Sequence, residues 1–145
     1  MASKAIEAHK ENAEIYHGAE ICKQKAHQIL SDNSLPKGLL PLDDMTEVGY
    51  NPSTGFIWMK QKKCTIHFFR SLNQTVWYGH EITTFIENGR MKKLTGIKAK
   101  ELVIWISTGE IYINKYDTEK ISFKNNTIGV SRTFPVAAFD LKEEY

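Results

Sequence analysis

The sequence predicts an α+β domain, mostly antiparallel β, in which a long N-terminal helix packs on a folded mixed sheet or pseudobarrel of about seven to nine short strands. Three observations predict it. Residues 4–30 lack proline and carry an apolar stripe at helical spacing. Beyond Pro41 the apolar period shortens to two, in short runs punctuated by Gly, Asn, Asp and Pro. The chain has 145 residues, 41% hydrophobic and 25% charged, enough to bury a core without staples. The expected division is an amphipathic helix over residues 1–34 and a β-rich unit over 35–145, together one domain.

The helix is read from Ala8, Ile15, Ala19, Cys22, Ala26 and Ile29, which recur at spacings of 7, 4, 3, 4 and 3. Gly18 is its weak point, and Ser31-Asp32-Asn33-Ser34 before Leu35-Pro36 should stop it. The stripe is short and rich in Ala, so it suits packing on a sheet better than a coiled-coil seam. A turn-rich connector, Leu35-Pro36-Lys37-Gly38-Leu39-Leu40-Pro41, follows.

The strands come next. Residues 47–51 and 56–60 flank Asn51-Pro52-Ser53-Thr54-Gly55, a hairpin loop by composition. Residues 64–69 read as a third strand and 75–86 as the longest. On that longest strand Val76, Tyr78, His80, Ile82, Thr84 and Ile86 share the expected core face. Asn88-Gly89 marks a turn, and residues 94–97 open the next unit. Residues 102–106 are apolar on both faces, which predicts a central strand covered on both sides. Thr108-Gly109 should turn the chain into a partner strand over 110–113. A last hairpin is expected around Asn125-Asn126, and residues 135–139 as a closing edge.

The net charge is +2, which disfavours a backbone-dominated nucleic-acid binder. Charge is nonetheless uneven. Residues 60–100 hold nine basic side chains and two acidic ones, a patch able to face an anionic lipid surface; lysines on turns and outward strand faces would look the same. Cys22 and Cys64 are the two cysteines, and the first residues carry no apolar signal core and no myristoylation glycine, the second residue being Ala2. Reduced thiols and a cytoplasmic location are therefore expected, with no transmembrane segment, since no apolar run approaches about 20 residues.

Catalytic templates fail. Gly129-Val130-Ser131-Arg132-Thr133 lacks the second glycine of a nucleophile elbow, and no phosphate loop, dinucleotide fingerprint or zinc helix is present. No catalytic residue, metal or cofactor is assigned. His67 and His80 lie on strands that could be neighbours, the one constellation that invites an acid/base or metal reading. Ten large rings crowd the strands between Tyr50 and Tyr112. They either fill the interior or line an apolar pocket, and periodicity does not separate these outcomes.

Several stretches, in order, resemble the plant family catalogued as domain of unknown function 538. They are the Leu35–Pro41 connector, Glu47-Val48-Gly49-Tyr50-Asn51, Gly55-Phe56-Ile57-Trp58-Met59-Lys60, Leu94-Thr95-Gly96-Ile97-Lys98-Ala99, and Ser131-Arg132-Thr133-Phe134-Pro135-Val136-Ala137-Ala138-Phe139. Residues 13–22 resemble the family's intracellular branch, without signal peptide. The resemblance implies a β-rich pseudobarrel joined by an N-terminal helix, in plant proteins linked with stress responses and development. It also implies kinship with lipid binders of the bactericidal/permeability-increasing kind, or a pigment-binding or chlorophyll-hydrolase role.

The function expected from this reading is non-enzymatic binding of an apolar or amphipathic, lipid- or pigment-like ligand by a monomer. Trp58, Trp77, Tyr78 and Phe85 are the candidate walls, with Lys92 and Lys93 reaching an acidic head group. The alternatives are a regulatory protein-interaction module without ligand, and a weak esterase built on Ser131, His67 and His80.

Overall fold

The computed structural model describes residues 2–125 and 129–140. Among these residues nine strands form one open sheet in which every pairing is antiparallel. The mixed sheet closing into a pseudobarrel is thus corrected. The strands are β1 (Glu14–His17), β2 (Met45–Asn51), β3 (Phe56–Gln61), β4 (Thr65–Phe69), β5 (Gln74–Glu87), β6 (Arg90–Glu101), β7 (Ile104–Asn114), β8 (Asp117–Asn125) and β9 (Ser131–Pro135). β1 and β9 are the free ends of the order β1-β2-β3-β5-β6-β7-β8-β9, and β4 pairs β5 off this path.

The single long helix is corrected as well. α1 (Ala2–His9) and α2 (Ala19–Asp32) are separated by β1. The left-handed residues Asn12 (φ 66°) and Gly18 (φ 100°) break the helical path on either side of it. Between them Glu14, Ile15, Tyr16 and His17 pair with Tyr50, Gly49, Val48 and Glu47 of β2 (Met45–Asn51). Ladder hydrogen bonds to β2 outweigh a local helix preference of a few tenths of a kcal/mol per residue.

Each helix takes one face of the sheet. Cys22, Ala26, Ile29 and Leu30 of α2 pack with Leu39, Leu40 and Leu42 on the inner face, against Val48, Ile57, Met59 and Ile82. Ile6 of α1 packs on the outer face with Phe56 and Trp58. The strand covered on both sides is therefore β3 (Phe56–Gln61), whose side chains alternate between the two clusters. Residues 102–106 are not that strand. Leu102 and Val103 form a hairpin tip, and β7 (Ile104–Asn114) starts beyond it. Thr108-Gly109 does not turn; it lies inside β7, where the register with β8 (Asp117–Asn125) shifts at a bulge.

β3 and β4 run end to end along the same side of β5, Lys60 opposite Glu81 and Thr65 opposite Tyr78. Gln61 sits at the break, buried, with Nε2 donating to the carbonyls of Tyr78 (3.1 Å) and Gly79 (2.9 Å). On β5, Val76, Tyr78, Ile82, Thr84 and Ile86 are buried as the alternation predicts, but His80 is exposed in the irregular stretch between Tyr78 and Thr83. Opposite that stretch β6 (Arg90–Glu101) kinks at Lys93 (φ 50°) and Gly96 (φ 86°). A Cβ on Gly96 would lie 2.2 Å from the Glu81 carbonyl oxygen. Such bulges bend a sheet, and from β4 to β9 this one curls inward. Residues 136–139 form a 3-10 turn rather than an edge strand. The expected Asn125-Asn126 turn falls partly on residues 126–128, outside the described residues.

Candidate functional site

The inner face of the curled half holds an apolar crevice of about 270 Å³. Its floor is a row across three strands, in which Val76 of β5 pairs with Ala99 of β6 and Ala99 with Ile106 of β7. Paired residues of neighbouring strands project to one face, so the row follows from register alone. Its wall is aromatic. Phe139, carried inward by the 3-10 turn, lies 5.1 Å from Phe69 and 5.5 Å from Phe123 between ring centroids, and Phe123 lies 5.7 Å from Phe134. At the rim Arg132 Nη2 donates to Glu101 Oε2 at 2.5 Å. The crevice thus combines apolar walls with a single charge-neutral pair.

The expected ring and lysine residues do not form one wall, although Phe85 packs against the outer cluster of Phe56 and Trp58. Trp58 is fully buried between β2 and α1; its indole N–H donates to Glu47 Oε2 at 2.7 Å. The ring lies so close across Gly49 that a Cβ there would be 2.0 Å from it. Glu47 also takes His17 Nε2 at 3.0 Å and faces Lys60 at 3.5 Å. Burial pushes its carboxyl up, but the Trp58 and His17 hydrogen bonds and the Lys60 charge outweigh that and hold it below the usual carboxylate range. Tyr78 is buried in the main core, its hydroxyl donating to the Leu39 carbonyl at 2.8 Å. Burial pushes its phenol far above the ordinary tyrosine value. Trp77 is half-buried on the outer face beneath Lys98, whose Nζ is 5.0 Å from the ring.

Phe85, Lys92 and Lys93 do come together. They line an open recess of about 370 Å³ with Thr54, Ile86 and Glu87. Lys93 Nζ sits 5.9 Å from the Phe85 ring, and Lys92 Nζ is 2.8 Å from Glu87 Oε1. That hydrogen bond holds the exposed Glu87 carboxyl below its usual value.

The histidine constellation is not assembled. His67 stands opposite Val76 with its ring 4.4 Å from Phe69, while His80 is exposed on β5 and Ser131 on β9. Among the described residues no hydrogen bond joins Ser131 to either histidine, and no group of three His, Cys, Asp or Glu could hold a metal ion. No helix among them is long and apolar enough to cross a membrane.

The profile of a family described as "Protein of unknown function, DUF538" matches residues 26–140. The chain belongs to the DUF538 family. No curated protein and no solved structure matches it. The matched stretch takes in every strand from β2 to β9, and so the whole crevice of this DUF538 chain. Composition did not reveal the crevice. The usable signal was the run from Ser131 to Phe139, which contributes Arg132, Phe134 and Phe139.

Proposed function

We propose that this DUF538 chain is a non-enzymatic binder that holds the apolar tail of a small amphipathic molecule in the crevice between β5 and β9. The observation that carries the reading is the crevice itself: a Val76–Ala99–Ile106 floor and a wall of four phenylalanines, with polarity confined largely to the rim. Apolar concavities with a few fixed polar groups are the usual form of small-ligand sites. At about 30 Å³ for a water-sized group, the volume takes roughly nine such groups. A medium-length acyl or alkyl chain fits that volume. Arg132 is already neutralised by Glu101, so an anionic head group would have to displace that carboxylate. A hydroxyl or ester head can hydrogen-bond to the pair as it stands.

Calorimetric titration with decanol, decyl acetate and decanoate tests this. Decanol and the ester should bind, decanoate more weakly. Ala99→Leu, which places a larger side chain in the middle of the floor, should reduce decanol affinity about tenfold or more. Absence of binding by all three compounds, or equal affinity in Ala99→Leu, would overturn the proposal.

A further inference from the structure

The β6–β7 hairpin tip is built against the ordinary rules of stability. Glu101 pairs with Ile104, leaving Leu102 and Val103 as a two-residue loop. Leu102 has φ 55° at the first loop position, which glycine usually occupies in a two-residue hairpin of this kind. Leu102 is 95% exposed and Val103 87%. Two large apolar side chains left unburied, the first on a left-handed backbone, contribute little to the folded state, and such departures mark functional positions.

The surroundings say what the tip meets. Trp105 pairs with Lys100, and Ile66 with Trp77, which pairs in turn with Lys98. Paired residues share a face, so Ile66, Phe68, Trp77 and Trp105 stand on one outer face of the sheet, with Lys98 and Lys100 of β6 between the two indoles. Lys98 and Lys100 lie over the two indoles, Nζ 5.0 Å and 5.7 Å from the ring centres. Gln74 Nε2 donates to the Lys100 carbonyl at 2.9 Å, which sets the β4–β5 turn, with the exposed Arg70, beside the same end of the sheet. The acidic group next to the tip, Glu101, is neutralised by Arg132.

From this we infer that the β6–β7 tip is a membrane-docking element: Leu102 and Val103 enter the acyl boundary of an anionic bilayer, Trp105 lies at head-group level, and Arg70, Lys98 and Lys100 face the lipid phosphates. Aliphatic residues at the far end, indoles behind them and cations around them form the sequence of layers that a bilayer surface selects. A protein partner would select apolar contact without this order of depth. The docking tip stands whether or not the crevice takes a ligand.

Co-sedimentation with two kinds of vesicle tests it, phosphatidylcholine alone and equal parts phosphatidylcholine and phosphatidylserine. The chain should bind the mixed vesicles more strongly than the neutral ones, and less as salt is raised. The double variant Leu102→Gly, Val103→Ser should bind the mixed vesicles about tenfold or more weakly, with unchanged far-ultraviolet circular dichroism and a thermal midpoint no lower than the parent's. Lys98→Gln with Lys100→Gln should remove most of the preference for phosphatidylserine. Tryptophan emission should shift to the blue on mixed vesicles, and Trp105→Phe should abolish most of that shift. No binding to either vesicle, or undiminished binding by the folded tip variant, would overturn the inference. So would a dimer in sedimentation velocity that disappears in the tip variant, since it would assign the tip to a second copy of the chain.

Discussion

Arg132 of β9 holds Glu101 of β6 at 2.5 Å although β7 and β8 stand between their strands in the hydrogen-bonded order. The contact is possible only because the sheet curls over this half, and it spans the opening of the crevice. The pair is partly solvated, with Arg132 55% and Glu101 26% exposed. Arg132→Met should therefore change the urea-unfolding free energy by less than about 1 kcal/mol. Hydrogen exchange in β9 should nonetheless quicken relative to β3, because one of the ties between the outermost strand and the rest of the sheet is gone.

Gly49 is required by Trp58, which lies across it at a distance that excludes a side chain. Gly49→Ala should destabilise the chain by about 3 kcal/mol, at the upper end for overpacking. Adding Trp58→Leu, which makes room, should recover part of the loss in a double-mutant cycle. Chemical denaturation of the four proteins measures it.

Glu47 gives an acid-side prediction. Its folded carboxyl titrates below the unfolded one, so its contribution is present above the unfolded value and disappears as pH falls through the folded value. Glu47→Gln keeps an acceptor for the Trp58 indole but removes the charge. The variant should be less stable than the parent at neutral pH, and the difference should narrow on acidification. Thermal midpoints across that range check it.

Tyr78 gives the opposite sign. Its phenol is raised by burial, so its contribution is complete below the ordinary tyrosine value of about 10 and is lost as pH rises above it. Phenolate absorbance from Tyr78 should appear only with alkaline unfolding. Tyr78→Phe should cost about 1–2 kcal/mol, because the Leu39 carbonyl loses its buried donor.

The hairpin tip should respond favourably to a change that most exposed leucines would not notice. Leu102→Gly relieves a left-handed leucine and should raise stability by up to about 1 kcal/mol. A small rise in thermal midpoint is the expected reading.

Much of the β architecture was legible because it rests on local signals. Asn51-Pro52-Ser53-Thr54-Gly55 and Asn88-Gly89 are turns by their chemistry, and β2–β3 and β5–β6 follow from them. The errors share one cause, which is that periodicity records what a segment resembles and not what it pairs with. Ile15 continues the stripe of Ala19 and Cys22, yet it belongs to a strand made by β2. Residues 102–106 are apolar in the manner of a covered strand, yet the chain reverses at Leu102 and leaves Leu102 to Trp105 exposed, with only Ile106 of the run lining the inner-face crevice. The candidate site was harder still. Trp58 and Phe85 do meet in the outer cluster around Phe56, but alternate strand residues face opposite ways, so Tyr78 turns into the inner core, and Trp77 lies outside that cluster. The crevice draws instead on Phe69 of β4 and, far along the chain, on Phe123, Phe134 and Phe139, which strand pairing and the 3-10 turn gather and which the curl brings against Phe69.

The two cysteines end up in opposite settings: Cys22 sealed beneath α2, its thiol pushed up by burial, and Cys64 exposed between β3 and β4. A maleimide added to the folded chain therefore has a single rapid target, at which a dye can be mounted without engineering. The second alkylation reports how often α2 lifts from the sheet, so the native sequence carries its own clock for that opening.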